Sequence, residues 1–274
     1  MVKFPAFGLL LARLLDHRGT TIASLSQAAD VPESELRDVL GGGEPAASLL
    51  TALAPPLGLH AADVFAMAGH AVPDALAPLD ASARGHIGPL VMDAICLPAE
   101  QRAELRRMVD DLPQAPRTLP FTAVKTFDPR EAGFGAMLGN MLYGNRNLGW
   151  SGAARALACC SNGRMYVSLS TIGQIVGGRV PLTGERLAGL GTLLDLPAGD
   201  LAAITGIPLP DGSSHPDPAA ADMAALLWGI RRLTAGQVRD VRDRAGAMRS
   251  EIPDDAIDRH FYAMRSHETS RGTG

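Results

Sequence analysis

The chain has 274 residues, of which 46% are hydrophobic, 20% charged and only 4% aromatic. That balance excludes a disordered or fibrous protein, favours close-packed helices over a large β-sandwich, and suffices for two ordinary domains. A formal net charge of −4 excludes a uniformly basic coat, so any attraction to nucleic acid has to come from a local patch. The opening MVKFPAFGLLLARLL is apolar, but Arg13 interrupts it and no small-residue cleavage site follows. It reads as a helix and not as a leader. Residues 7–17 place Leu10, Leu11, Leu14 and Leu15 on one helical face, and Thr21 suits the N-cap of a second helix. Pro32 fits the first turn of a third, with Leu36 and Val39 facing inward and Gly41 as its stop. Residues 49–57 and 61–67 add two amphipathic pieces, and residues 86–95 and 98–112 a final pair. Pro113, Pro116 and Pro120 then interrupt any helix, which predicts a semi-extended connector. Beyond it, IPLPDGSSHPDP is a second polar break and SHETSRGTG a flexible tail.

The chain repeats itself: VPESELRDVLGGGEP from Val31 and VSLSTIGQIVGGRVP from Val167 share apolar spacing and punctuation. Val31 pairs with Val167, Ser34 with Ser170, Leu36 with Ile172, Val39 with Ile175, Gly41 with Gly177, Gly42 with Gly178 and Pro45 with Pro181. Downstream, GLHAADVFAMAG matches DLPAGDLAAITG, and LPAEQRAELRRM matches LTAGQVRDVRDR. Upstream, IASLSQAA aligns with WSGAARAL, which leaves an insertion at residues 159–166 of the second copy, between two helices. The expected organisation is an all-α chain: a first unit at 1–112, a Pro-rich linker at 113–127, a second unit at 128–265, and a tail at 266–274.

TIASLSQAADVPESELRDVLGG resembles the helix-turn-helix core of the lambda-repressor-like (XRE) family of transcription regulators. The likeness is of pattern and covers about the first 70 residues of each unit. It implies two tandem helix-turn-helix domains, each of five packed helices with the third entering the major groove, followed by extra C-terminal helices. Two departures stand out. Asp30 occupies a turn position where the family usually has glycine, and the insertion lengthens the same turn in the second copy.

Charge separates the two copies, since affinity for DNA comes mainly from neutralising phosphates. Between residues 7 and 53, Arg13, Arg18 and Arg37 face Asp16, Asp30, Glu33, Glu35, Asp38 and Glu44. Between residues 134 and 190, Arg146, Arg155, Arg164, Arg179 and Arg186 face Glu185 alone. The second copy is therefore expected to bind double-stranded DNA, and the acidic first copy to be diverted to packing or to a protein partner. On the second recognition helix the outward candidates are Ser168, Leu169, Ser170, Thr171 and Gln174, because Ile172 and Ile175 belong to the core. Gln174 is suited to a bidentate bond with an adenine edge, Thr171 offers hydroxyl and methyl, and Arg179, Arg155 and Arg164 are placed for phosphates. The competing expectation is a helical protein–protein interaction module that has kept the fold and lost DNA.

No glycine-rich phosphate loop, nucleophile elbow, acid–base carboxylate pair or metal-ligand spacing is present in the sequence, so neither an enzyme nor a cofactor is expected. Cys96, Cys159 and Cys160 fit no disulfide framework, which suggests a reducing cytoplasm, and adjacent cysteines in the insertion make a poor redox switch. No stretch approaches about 20 apolar residues, so no membrane span is expected. Trp150 and Trp228 read as core residues. The C-terminal helices have two uses open to them: packing against the other unit, or the seam of a homodimer.

Overall fold

Fifteen α-helices, with two short 3₁₀ turns and one π turn, make up a computed structural model that describes residues 4–117, 125–161, 165–210 and 218–252. No strand occurs among the described residues. Helix α1 (Phe7–Arg18) buries Leu10, Leu11, Leu14 and Leu15 as the spacing predicts, and stops where Gly19 takes a left-handed φ of 60°. Helix α2 (Ile22–Ala29) begins in a reciprocal cap. The Ser24 amide donates to Thr21 Oγ1, and the Thr21 amide donates to Ser24 Oγ, both at 3.1 Å. Asp30 then turns the chain at φ 53°, a left-handed conformation that aspartate tolerates better than most residues, which explains why glycine is dispensable there. Helices α3 (Glu33–Leu40), α4 (Ala47–Leu53) and α5 (Ala61–Ala68) follow, then α6 (Arg84–Ala94) and α7 (Ala99–Asp111).

After a short α8 (Pro129–Ala132) that has no counterpart in the first half, the second half repeats this order with α9 (Phe134–Gly139), a π turn (Asn140–Asn145), α10 (Trp150–Cys160), α11 (Leu169–Val176), α12 (Gly184–Leu194), α13 (Ala198–Thr205), α14 (Pro218–Ile230) and α15 (Ala235–Ser250). Backbone detail repeats as well. Left-handed φ values recur at Gly19 and Asn147, Gly42 and Gly178, Gly58 and Asp195, and Gly69 and Gly206. In both halves the first helix presses a glycine onto the helix after the turn. A Cβ at Gly8 would lie 1.9 Å from the Val39 carbonyl oxygen, and one at Gly135 would lie 2.1 Å from that of Ile175. The stretch from Phe134 to Asn147 is one residue longer than that from Phe7 to Gly19, and the π turn takes up the extra residue.

Two arginines at equivalent positions tie the halves together reciprocally. Arg18, at the end of α1, donates to Asp200 on α13 at 2.5 and 3.1 Å and to the Leu57 carbonyl at 2.8 Å. Arg146, just after the π turn, donates to Asp63 on α5 at 2.8 and 2.9 Å and to the Leu194 carbonyl at 2.7 Å. Each guanidinium therefore bonds a carbonyl of its own half and a carboxylate of the other, in the pattern of a two-fold interface.

The C-terminal helices pack against one another within the chain. Helix α15 lies along α6, and α14 along α7. Apolar faces carrying Leu90 and Val91 on α6, Leu105 and Val109 on α7, Leu226 and Leu227 on α14, and Val238 and Val241 on α15 are buried there. Ion pairs cross between the halves at the rim: Arg102 with Asp222 at 2.8 Å, Arg249 with Asp93 at 2.7 Å, and Arg244 with Glu104 at 2.9 Å. Of the two uses expected for these helices, packing on the other half is the one observed. The buried apolar residues of both halves form one continuous cluster. The described part of the expected linker is anchored: Arg117 donates to the Ala77 and Pro78 carbonyls, and Gln237 donates to the Pro113 carbonyl. The rest of the linker core, the centre of the second polar break and the tail lie outside the described residues. Among the described residues no helix is long and apolar enough to cross a membrane.

Candidate nucleic-acid interface

The outward face of α11 is polar and accessible because its inward face is fully committed. Ile172, Ile175 and Val176 are buried, held from behind by Gly135 and Gly139 of α9. Ser168, Leu169, Ser170, Gln174 and Arg179 are exposed, while Thr171 is half-buried. Ser168 is the N-cap. Its Oγ accepts from the Thr171 amide at 3.2 Å and lies 2.8 Å from Ser170 Oγ and 2.9 Å from Thr171 Oγ1. The Thr171 hydroxyl is thus engaged in capping, and Gln174 carries the freer polar group of the two. The Arg179 amide donates to the Gln174 carbonyl at 2.8 Å. Its guanidinium folds back toward Gly177 at the C-terminal end of α11, where cations are favoured.

The remaining arginines are unequal. Arg155 is half-buried on α10, close enough to Cys159 to favour its thiolate. Arg186 donates to the Pro181 carbonyl at 2.7 Å. Arg164 lies outside the described residues. Arg146, expected among the exposed cations of the second copy, does not contribute to the positive surface. It is 0% exposed and neutralised by Asp63. Even without Arg146 the two helices after the turn differ in charge. Helix α3 carries Glu33, Glu35 and Asp38, and its Arg37 is paired with Glu33 along the same helix.

Helix α10 has eleven residues where α2 has eight, so Cys159 and Cys160 lie within a helix, and the segment that follows, 161–168, is still longer than the three residues, 30–32, between α2 and α3, as the insertion predicts. Both cysteines are buried, and burial pushes the Cys159 thiol up to about 12. Helix α6 crosses α10 at a pair of glycines, with the Cβ position of Gly88 2.9 Å from Gly152 Cα. Consequently α10 is mostly covered, whereas Leu25 is the buried residue of α2.

One further exposed residue lies just ahead of the helix, outside the helix-turn-helix spacing. Tyr166 is 73% exposed just before the Ser168 cap. Its neighbours Met165 and Val167 pack on the core, so a period of two across the segment was the signal that could have found it. Trp150 and Trp228 are half-buried and sit in aromatic clusters: Trp150 lies 4.9 Å from Tyr143, and Trp228 stacks on His60 at 3.6 Å. Comparison with protein-family models, with curated proteins and with solved structures finds no match.

Proposed function

We propose that this chain is a transcription regulator that binds double-stranded DNA sequence-specifically, with α2–α3 and α10–α11 as two tandem lambda-repressor-like helix-turn-helix elements. The observation that carries the reading is the exposed polar face of α11, with Ser168, Ser170, Gln174 and Arg179, on a helix whose opposite face is locked by Gly135. Gln174 meets an adenine edge and Arg179 a phosphate, while α3 repels the backbone through Glu33, Glu35 and Asp38. The reciprocal Arg18–Asp200 and Arg146–Asp63 pairs support a chain that carries within itself the two-fold arrangement a dimeric regulator obtains from two copies.

A gel shift of the purified protein on its own upstream region at two salt concentrations tests this. The expected result is a shifted band that weakens as salt rises, and absence of any salt-sensitive band contradicts the reading. One observation favours a second reading, an interaction module without DNA. Helix α6 covers α10, the helix that in the resembling family crosses the DNA backbone, and α3 offers an acidic face to a basic protein partner.

A further inference from the structure

We infer that Tyr166 and Leu169 form an apolar contact on the DNA, in which Leu169 recognises the 5-methyl group of a thymine and the Tyr166 hydroxyl donates to a phosphate. The inference rests on the DNA-binding reading above and adds a specificity determinant to it.

Tyr166 is 73% and Leu169 56% exposed, and with Leu9 they are the large hydrophobic side chains that stand in water among the described residues. Their orientation is imposed. Met165 is pinned from below, its sulfur against Gly189 and its amide donating to Ser161 Oγ at 2.8 Å, and Val167 packs on the same core. The side chain between these two inward anchors points outward and is left exposed. Leu169 is the first residue of α11 and is exposed at its N-terminal end beside Ser170. At the separation that matches Val31 with Val167, the equivalent residues of the first half are Asp30 and Glu33. Those two positions are acidic where the helix carries acids throughout, and apolar where it carries none.

The chemistry selects the occupant. The exposed apolar surface is two side chains, Tyr166 and Leu169, among the exposed Ser168 and Ser170, with Glu185 the one acidic residue between 134 and 190. A protein interface needs a broader apolar centre, whereas a thymine methyl in the major groove is matched by one aliphatic side chain. A tyrosine beside it spans the sugar with its ring and reaches the phosphate with its hydroxyl.

The test uses full-length protein and a duplex selected from a random pool, in which each thymine is replaced in turn by uracil to remove only the methyl group. Wild-type protein is expected to lose about fourfold in affinity at one position, the contribution of one buried methyl. Leu169→Ala is expected to bind more weakly and to be indifferent to that replacement. Tyr166→Phe is expected to weaken binding roughly fivefold on every duplex without altering the salt dependence, since a hydroxyl releases no counterion. Because both residues are exposed, unchanged thermal unfolding separates these effects from misfolding. Recovery of no bound duplex from the pool overturns the DNA reading itself. Binding that ignores every thymine-to-uracil change, or that survives Leu169→Ala and Tyr166→Phe unchanged, overturns this inference and leaves that reading standing.

Discussion

Arg146 and Asp63 form a bidentate ion pair in which both side chains are completely buried, joining the end of the π turn in one half to α5 in the other. Asn145 adds a third bond to the same carboxylate at 2.8 Å, and the guanidinium lies 5.1 Å from the Trp228 ring. Removing one partner strands a charge without water, so Asp63→Ala is expected to cost about 3–5 kcal/mol. At the equivalent pair, Asp200→Ala leaves an Arg18 that is partly in water and still bonded to the Leu57 carbonyl, and is expected to cost about 1 kcal/mol. Urea unfolding of both variants checks the asymmetry, and equal losses would contradict it.

The glycine on the first helix of each half supports a second comparison. Gly8→Ala and Gly135→Ala each force a methyl into a carbonyl oxygen, at 1.9 and 2.1 Å, and overpacking of this kind costs about 1–3 kcal/mol. Their functional effects are expected to differ. Gly135→Ala displaces α11 and weakens DNA binding, while Gly8→Ala displaces α3 and leaves binding intact at temperatures where both variants remain folded.

Acid is expected to destabilise the fold through His60. Burial holds its imidazole neutral, lowering its pKa from 6.5 to about 4, and it stacks on Trp228 at 3.6 Å. The unfolded chain takes up a proton near 6.5 and the folded chain does not, so this contribution is intact above pH 6.5 and is lost as pH falls through about 4. His60→Phe keeps a ring on Trp228 and is expected to flatten that part of the stability–pH curve.

Cys159 is expected to be inert in the native state. With its thiol pushed up to about 12 by burial, almost no thiolate exists at pH 8. Alkylation followed by mass spectrometry should label Cys159 only after unfolding, and rapid native labelling would contradict its placement in α10.

Much of the helix order was legible because it follows from local chemistry. The Leu10–Leu15 face, the Thr21 cap and the paired glycines after Leu40 and Val176 all lie within a few residues of what they control. Pairing of GLHAADV with DLPAGDL also sets Asp63 opposite Asp200. Nothing in that spacing says that each carboxylate serves the other half's arginine, because the choice depends on how two surfaces meet. For the same reason Arg146 was indistinguishable in sequence from exposed Arg179. Cys159 and Cys160 look like turn residues only while α10 is assumed to be as short as α2, and the cover provided by α6 removes that assumption. On the proposed interface, exposure of Ser168, Leu169, Ser170 and Gln174 followed from the buried Ile172 and Ile175, whereas Tyr166 lay outside the helical period altogether.

On the proposed interface α11, and not α3, meets DNA. Fluorescence anisotropy on a selected duplex at fixed salt compares the double variant Gln174→Ala/Arg179→Ala with Arg37→Ala. Binding is expected to be lost in the first and retained in the second, and binding retained in the first and lost in the second would exclude α11 as the helix that reads DNA.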